Sequence, residues 1–514
     1  MAKILEAIKN FFIKIKDIIV DFCVNYFPKG FPKRKLFPLL LMLLIEGIST
    51  TMIGAYGGYL LVDIGMAKDV DDAGTYTGWL TSSFHIAQFL SSFVIGALSD
   101  NIGRRPMLLF GTFGIALTNI LFGFSFNFYY AIAMRFINGL INGNIGVVKT
   151  YMGEVSTPEN RVKTFSFVGL TWAVGSVVGN FLGGILYDPC TKYPSVFGTS
   201  GLFKQFPALL PQGSVGIVGF IVLILAYFYL PENIVPGKLD ESVKVNKCKS
   251  ILESIKMVFV KMYRFFNRKN KWSLFCTFEY FLLGFCHTTF LTLYPLLIIA
   301  SVGNGGFGLT TNEVGYFSAI AFTGSIVTLS FFYNPLVRLF GMRKTFSITA
   351  YITACFYGLY PALEGLNDSS DGVKWTCYAL LAFGWNLANQ CTFSAIMTLI
   401  VNGCEASYMG SANGIAQMVV SLGRILGPII LSPLLSWSLD NGLSYPFNQY
   451  LPFYILLVIA CINASLMFIT PERIERPPVS KTNDEEEMQT EIAEEKELLP
   501  SENETSSLVG NEEK

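Results

Sequence analysis

Ionisable side chains interrupt the long apolar stretches of this sequence, among them Glu46, His85, Arg135 and Glu279. A charged group deep in hydrocarbon costs free energy, so each is expected to face water or a partner. Glu46 follows Lys35 by 11 residues, about 16 Å along a helix and so near the middle of a bilayer. These residues predict uptake and release of a proton, with Glu46 as acceptor and Arg135 as its partner or as an anchor for the substrate. Two alternatives stay open: a permanently ionised Glu46–Arg135 pair, and a His85 that is merely hydrogen-bonded near Gln88.

Amide and aromatic side chains recur on faces of the same apolar stretches. In the fourth stretch Asn138 and Asn142 share a face with Arg135, and in the eleventh Asn413, Gln417 and Arg424 fall within about 40° of one another. The other members of the set are Gln88, Trp385, Asn386, Asn389 and Gln390. Together they predict the wall of a cavity that binds a solute. Structural hydrogen bonds between helices are the alternative for the amides.

The sequence lacks the signatures of metal sites and of catalytic sites. The chain has two histidines and ten scattered cysteines, most of them inside apolar runs. No clustered metal ligands and no nucleophile–base motif appear, so we expect no metal, no cofactor, no nucleic-acid partner and no enzymatic activity.

The elements that must position these residues are membrane spans. Of 514 residues 52% are hydrophobic and only 14% charged, against roughly 25% charged in soluble proteins. Runs of bilayer-crossing length predict an all-α membrane protein of twelve helices. The predicted spans are roughly 36–60, 77–98, 106–125, 128–150, 165–186, 213–230, 273–300, 313–333, 344–363, 375–400, 411–435 and 450–469.

Basic residues predict the orientation of these spans. With the N-terminus inside, 31 of the 37 lysines and arginines fall in inner segments and four in outer loops. Cytoplasmic loops carry the positive charge, so both termini are predicted to be cytoplasmic.

The spans divide into two halves of six, 36–230 and 273–470, that resemble each other. "GSVVGN" and "GRILGP", "LPE" and "TPE", and "GRRP" and "GMRK" recur at offsets of 248, 240 and 238 residues. Two halves of like topology are the arrangement that builds a central transport site.

Three segments flank or join the halves. Residues 1–35 predict an amphipathic cytoplasmic arm, 231–272 a cytoplasmic linker with a basic amphipathic helix, and 471–514 a disordered acidic tail. The tail contains an acidic dileucine sequence for a sorting adaptor, Glu494 with Leu498 and Leu499, although chance occurrence is the alternative.

The stretch "GALSDNIGRRP" joins the second and third spans. Gly96 and Gly103 bracket Asp100, and Arg104 and Arg105 follow. A loop this short predicts a charged cytoplasmic latch that breaks when the two halves separate. Ordinary positive-inside anchoring is the alternative.

Glycines at helical spacing predict close helix packing. The predicted packing residues are Gly139, Gly143, Gly175, Gly179, Gly183, Gly427 and Pro428.

Several of these motifs resemble the major facilitator superfamily. The pattern from Gly96 to Arg105 resembles its signature loop, "RFINGLING" its proton-linked motif, and "GSVVGNFLGG" its antiporter motif, with Asn180 in place of proline. Glu46 matches the membrane acid of tetracycline/proton antiporters. "LYDPCTKYPSVFG", "FKQFPALLP" and "ANGIAQMVVSLGRILGP" are similar to the zinc-induced-facilitator-like branch.

The resemblance implies a proton-coupled secondary transporter, an antiporter of small organic solutes or drugs, monomeric in the lipid bilayer of the vacuolar, endolysosomal or plasma membrane. The alternatives are a transport-inactive sensor or scaffold and a uniporter or symporter of a small metabolite.

Overall fold

The computed structural model describes residues 33–155, 158–231, 270–404 and 409–475. The predicted N-terminal arm, the linker helix, most of the acidic tail and the dileucine sequence at Glu494 lie outside these residues.

Within the described ranges the chain forms twelve helical passes and no β-strand. The first, fourth and eighth passes are each built from more than one helical segment. In chain order the passes are Lys33–Thr51 with Met52–Ala55 and Gly57–Asp63, Ala73–Ile102, Arg104–Gly123, Phe128–Ile141 with Asn144–Val155, Pro158–Leu186, Leu209–Tyr229, Lys271–Ile299, Thr311–Val327 with Thr328–Phe332 and Tyr333–Phe340, Met342–Leu359, Asp371–Asn402, Met409–Asp440 and Leu451–Leu466. Short helical segments between or after them are Pro189–Lys192, Pro194–Phe197, Leu202–Gln205, Val302–Asn304, Pro361–Leu366, Met467–Ile469 and Glu472–Glu475.

Eight of the passes in the described ranges are long and apolar enough to cross a membrane by length and composition. The eighth pass is divided into three segments, of which the longest, Thr311–Val327, has 17 residues. In the second pass Ser82, Ser83 and His85 are buried inside the protein. The predicted all-α membrane fold is confirmed.

The bundle has two ends, which we call the terminal face and the opposite face. The terminal face carries the described chain ends, at residues 33 and 475. The opposite face carries segments 64–72, 187–208 and 300–310.

Each half has an apolar core of its own. One cluster of buried residues lies wholly within positions 36–230 and another within 276–474. A third cluster contains residues of both halves, among them Leu61 and Phe128 with Leu297 and Phe307, all near the opposite face.

Within each half, glycines bring the fifth helix of that half into backbone contact with its first helix. A Cβ atom on Gly175 would lie 2.8 Å from the Leu44 carbonyl oxygen, and one on Gly179 would lie 2.6 Å from that of Ile48, so the fifth pass lies directly on the first. Gly183 meets Met52 in the same way. In the second half Gly427 lies against the Phe285 carbonyl, so the eleventh pass repeats this contact with the seventh.

The fourth pass breaks where the sequence predicted a continuous span over 128–150. One helix ends at Ile141, Asn142 leaves helical geometry with φ −80° and ψ 84°, and the next helix begins at Asn144. Asparagine and glycine are weak helix formers, and here they occur together as "NGN". Across the break the Asn142 amide still donates to the Asn138 carbonyl and the Gly143 amide to the Ile141 carbonyl.

The two halves meet along the second and eleventh passes. The Gly74 amide donates to Ser436 Oγ at 3.0 Å, and Ser82 Oγ donates to the Ile425 carbonyl at 2.9 Å. Between these two contacts, Gly78 lies against the Pro428 carbonyl.

The fifth and eighth passes form the other junction between the halves. A Cβ on Gly184 would lie 2.6 Å from Gly315 Cα, which shows that the two backbones touch. Beside this contact Lys192 Nζ donates to Thr311 Oγ1 at 2.6 Å, and Tyr59 Oη donates to the Leu309 carbonyl at 2.8 Å. These contacts hold the two halves together toward the opposite face.

Candidate functional site

Ionisable side chains from both halves gather midway along the passes, in a space that we call the chamber. Its charged or titratable members among the described residues are Glu46, His85, Arg135, Lys149, His287 and Arg424. The first four come from the first, second and fourth passes, and the last two from the seventh and eleventh.

Glu46 lies on the first pass and is 1% exposed. The side chain of Asn142, at the break of the fourth pass, lies beside its carboxylate, and Lys149 is the cation whose charge acts on it. Its Oε2 has no hydrogen-bond partner among the described residues. A buried carboxyl group with an unused oxygen and one nearby ammonium can exchange a proton without breaking an ion pair.

Arg135 points elsewhere than the sequence predicted. Its guanidinium carbon lies 4.9 Å from the ring centroid of Phe84 on the second pass, and the neutral Tyr56 hydroxyl is a further neighbour. Its Nε has no hydrogen-bond partner among the described residues. The structure therefore gives Glu46 a different neighbouring cation, Lys149, because the Phe84 ring holds the Arg135 guanidinium.

Sequence reasoning misses Lys149, because a lysine at the end of the predicted span 128–150 is expected to anchor it at the inner surface. In the structure the helix continues to Val155, so Lys149 lies within the pass and is half-buried. The signal was a spacing of seven: Arg135, Asn142 and Lys149 recur every two helical turns and lie on nearly one face.

Arg424 carries the charge of the second half. It is half-buried, lies beside the Tyr280 hydroxyl, and acts on Lys149, His85 and His287. Gln417 Nε2 donates to the same hydroxyl at 3.5 Å. The predicted face of Gln417 and Arg424 therefore does turn toward the chamber.

His287 was also missed by the sequence argument, since a lone histidine carries no spacing signal. Its ring stacks on Trp385 with centroids 5.8 Å apart and planes 11° apart, and its Nδ1 shares a 2.8 Å hydrogen bond with Asn389 Nδ2. Phe393 meets the same ring edge-on at 4.8 Å. The predicted residues Trp385 and Asn389 thus form an aromatic wall around His287.

His85 and Gln88 lie side by side on the second pass, as their spacing predicted. Gln88 interacts with the His85 ring, whose Nδ1 has no partner among the described residues. Both Arg135 and Arg424 act on His85. It therefore lies where the two halves face each other.

Other predicted site residues are used inside one half. Asn138 Nδ2 donates to Thr118 Oγ1 at 2.6 Å, and Asn386 Oδ1 accepts from Ser325 Oγ. Glu279 is fully buried, with Cys276 and Arg343 as its neighbours. Asn138 and Asn386 thus bond to neighbouring helices of their own half. Glu279 lies near Arg343 and outside the charged cluster, and neither of its carboxylate oxygens has a hydrogen-bond partner among the described residues.

Gln390 and Asn413 are the remaining predicted cavity residues. Gln390 is half-buried and Asn413 exposed. Asn413 lies closer to the terminal face than Gln417 on the same side of the eleventh pass.

The eleventh pass shows toward which end the chamber opens. Asn413 is exposed, and Gln417 and Arg424 are half-buried on the same side of this helix. Farther along that side, toward the opposite face, Leu431 and Leu435 are 2% and 1% exposed. The interface between the halves is therefore tightly packed toward the opposite face, and Asn413, Gln417 and Arg424 on this side of the helix are more exposed toward the terminal face.

The loop at residues 96–106 lies on the terminal face. Gly103 ends the second pass with φ +111°, a conformation that favours glycine. Arg104 donates to Ser99 Oγ at 2.7 Å, and Arg105 donates to the Tyr227 carbonyl, at the end of the sixth pass, at 2.6 Å. The structure describes the backbone of Gly96 and Asp100 but not the Asp100 side chain, so the latch stays a prediction.

The second half repeats the arginine contact although its motif is degraded. Gly341 has φ +80°, and Arg343 Nε donates to Thr470 Oγ1 at 3.0 Å, just after the twelfth pass. Arg105 and Arg343 are 238 residues apart. In both halves a cation therefore binds near a helix C-terminus, where the helix dipole favours it.

The remaining predicted glycines pack helices within one half. Gly139 lies against the Phe84 carbonyl and Gly143 against Ile95, both on the second pass. Within the described residues no group of three His, Cys, Asp or Glu side chains could hold a metal ion.

Comparisons with known proteins agree with this architecture. The Major Facilitator Superfamily profile matches residues 39–428. Protein ZINC INDUCED FACILITATOR 1 of Arabidopsis thaliana is 29% identical over 455 residues, covering 86% of this chain and 92% of that protein. Major facilitator superfamily multidrug transporter mfsB of Aspergillus fumigatus is 26% identical over 487 residues, covering 81% of this chain and 80% of that protein.

A solved structure has the same fold. A bacterial homolog of the human lysosomal transporter Spinster, in an inward-facing and unoccupied conformation, aligns with a TM-score of 0.62 at 16% identity and covers 88% of this chain and 100% of its own. The similarity to the zinc-induced-facilitator branch is confirmed, and the matched proteins are transporters, not enzymes. The family profile spans well over half of the sequence, so this chain belongs to the major facilitator superfamily.

Proposed function

We propose that this protein is a proton-coupled secondary transporter of small organic solutes, drugs among them, and that Glu46 carries the proton. The observation that carries the proposal is the buried Glu46 carboxyl group, with an unused oxygen and Lys149 as its neighbouring cation. An acid that is almost fully buried can bind a proton only when the chamber admits water. Its loading therefore depends on which face is open.

The transport cycle follows from the two ends of the bundle. With the opposite face closed, solute and protons reach the chamber from the terminal face. Closing that face and breaking the Gly74–Ser436, Ser82–Ile425 and Lys192–Thr311 contacts would open the other. Rocking of two six-helix halves about a central site is the physical basis of alternating access.

We propose that both termini are cytoplasmic, which makes the terminal face the cytoplasmic one. The support is the distribution of basic residues: all but Lys149 of the 31 lysines and arginines that the sequence assigns to inner segments would lie on that side. A vacuolar, endolysosomal or plasma membrane, a monomeric state and a sorting adaptor at Glu494, Leu498 and Leu499 belong to the same proposal.

Proton antiport is the first candidate for the coupling mode, because a relative is named as a multidrug transporter. Co-transport of proton and solute is the second. The observation that favours it is the position of Lys149 between Glu46 and Arg424, whose charges both act on it. Neutralising Glu46 would strengthen the positive charge near the solute.

The test is uptake by the full-length protein in vesicles with an imposed pH gradient. Three solutes of one skeleton form the panel: hippurate, its neutral primary amide, and cationic N-(2-aminoethyl)benzamide. We expect the pH gradient to drive accumulation of at least one. Glu46→Gln should abolish that gradient-driven accumulation while leaving exchange of the same solute across the membrane.

Glu472→Gln is the matched control, since Glu472 is exposed on the terminal face. It should behave as wild type. Accumulation in Glu46→Gln that still follows the pH gradient would refute Glu46 as the proton site, and a panel of which no member is carried would count against transport.

A further inference from the structure

We infer that the chamber binds small organic anions, with Arg424 and Lys149 holding the negative charge and the half-buried His287 ring, backed by Trp385, contacting the apolar part of the solute. This inference rests on the proposed function and adds the class of substrate.

The charges that face the chamber do not balance. From the first half come the cations Arg135 and Lys149 and one carboxyl group, Glu46; from the second half comes Arg424, with no acid beside it among the described residues. His85 and His287 are both acted on by Arg424, which opposes a further positive charge there. The described lining therefore holds three fixed cations against one acid.

None of the three cations has a carboxylate within 4.0 Å in the part of the chain that the structure describes. Arg135 is 6% exposed, stacks on Phe84 and keeps an unpartnered Nε. Arg424 lies beside the neutral hydroxyl of Tyr280. A buried cation without a counter-charge costs free energy, and a carboxylate brought in by a ligand would supply one.

The aromatic wall lies beside Arg424. Its charge acts on His287, whose ring stacks on Trp385 and meets Phe393 edge-on. Trp385 itself is 1% exposed, so the half-buried rings of His287 and Phe393 are the ones that offer an aromatic surface near the Arg424 guanidinium group. An anion with a planar or apolar body matches both features, whereas a simple inorganic anion would use only the charge.

The position of Lys149 links this binding to the proton. Glu46 and Arg424 both act on the Lys149 ammonium group. While Glu46 is ionised it neutralises part of the charge that an anion needs, and protonation of Glu46 removes that competition. Proton and anion then bind together, which for an anionic solute favours co-transport over antiport.

The test is equilibrium binding to the purified full-length protein in lipid nanodiscs, without a pH gradient. Hippurate, its primary amide and N-(2-aminoethyl)benzamide share size and ring and differ in charge. We expect hippurate to bind at least tenfold more tightly than the other two. Hippurate affinity should fall at least tenfold in Arg424→Gln and in Lys149→Gln, since truncating one partner of a buried charge pair costs several kcal/mol.

Three further measurements separate charge from folding. The affinity for the amide should stay within about twofold in both variants, Arg424→Lys should keep the preference for hippurate, and Arg338→Gln, at an exposed site on the terminal face, should match wild type. Glu46→Gln should raise hippurate affinity severalfold.

Two results would overturn the inference: hippurate binding no more tightly than its neutral and cationic partners, or hippurate binding unchanged in Arg424→Gln and Lys149→Gln. The proposed function fails separately, through the flux of Glu46→Gln under a pH gradient. If the protein bound the cationic solute most tightly and still accumulated it with the pH gradient, the proposed function would stand and the inference of an anion site would be refuted.

Discussion

Substitution of Asp71 tests how strongly contacts between the halves hold the opposite face closed. Asp71 lies between the first and second passes and is 8% exposed. Its Oδ1 accepts from the Ser301 amide at 2.9 Å, and its Oδ2 accepts from Ser301 Oγ at 2.6 Å and Asn304 Nδ2 at 2.8 Å. All three donors belong to the other half. Asp71→Asn should therefore shift the protein toward the state that is open at the opposite face.

The size of the shift follows from these three bonds. Asparagine keeps one carbonyl oxygen, for the Ser301 amide, but presents an amino group where Oδ2 received two donors. Ser301 Oγ can rotate and accept, whereas Asn304 Nδ2 loses its acceptor. Hydrogen bonds to a charged group contribute roughly 1.5–3 kcal/mol each. Losing one such bond and weakening the others should cost about 2–3 kcal/mol, a roughly 30- to 150-fold change in the closed-to-open ratio.

The assay is the reaction of a thiol introduced by Ser82→Cys with a charged, membrane-impermeant thiol reagent added at the opposite face. Ser82 is fully buried between the second and eleventh passes. Peptide mass spectrometry distinguishes this thiol from the native cysteines. The reaction should be about 30- to 150-fold faster in Asp71→Asn.

Asp72→Asn is the matched control, because the Asp72 carboxylate accepts from the Lys68 amide of its own loop. Equal rates in the two variants would show that the Asp71 contacts do not hold the face closed.

Two further predictions use the same thiol reaction. Gly184→Val should also speed the reaction, because a Cβ on Gly184 would lie 2.6 Å from Gly315 Cα and such overpacking costs about 1–3 kcal/mol. Gly146→Ala should leave the rate unchanged, since nothing lies within 4 Å of the added atom, and equal rates in the two variants would refute the backbone contact. Burial lowers the pKa of Lys192 to about 8 in the closed state, and solvation at an open face would restore about 10.4. Between these pH values Lys192 binds more protons in the open state, so the closed state should become more stable as pH rises from about 8 to 10. The thiol reaction, corrected for thiolate reactivity, should therefore slow over this range in wild type. This pH dependence should vanish in Lys192→Met.

The sequence predicted the passes because a bilayer requires helical structure in each apolar span. Without water, backbone groups must bond within a helix, so an apolar run of sufficient length has few alternatives. The glycines at 175 and 179 and at 427 were predictable for a related reason: helices that touch backbone to backbone tolerate no side chain at the contact.

The chamber was predicted less completely, because its members follow no single periodicity. Lys149 lies beyond the apolar run, where a basic residue is expected merely to anchor the membrane. His287 is a single residue whose role depends on Trp385 and Asn389, about a hundred positions away. The direction of Arg135 depends on the ring of Phe84 in another helix. Such partners are fixed by tertiary packing and leave no local pattern.

The contacts that close the opposite face can be broken at a modest cost in free energy during a transport cycle. Glycines bring the helices together, so separation does not require large interlocked side chains to disengage. The polar part consists of a few hydrogen bonds, centred on Asp71, Tyr59, Ser82 and Lys192. Each neutral bond contributes only about 1 kcal/mol net, and each bond to the charged Asp71 or Lys192 roughly 1.5–3 kcal/mol. A ligand shifts such an equilibrium by as much as its affinity for the two states differs, and a close charge pair in the chamber couples by about 1.5–7 kcal/mol, which is of the same order.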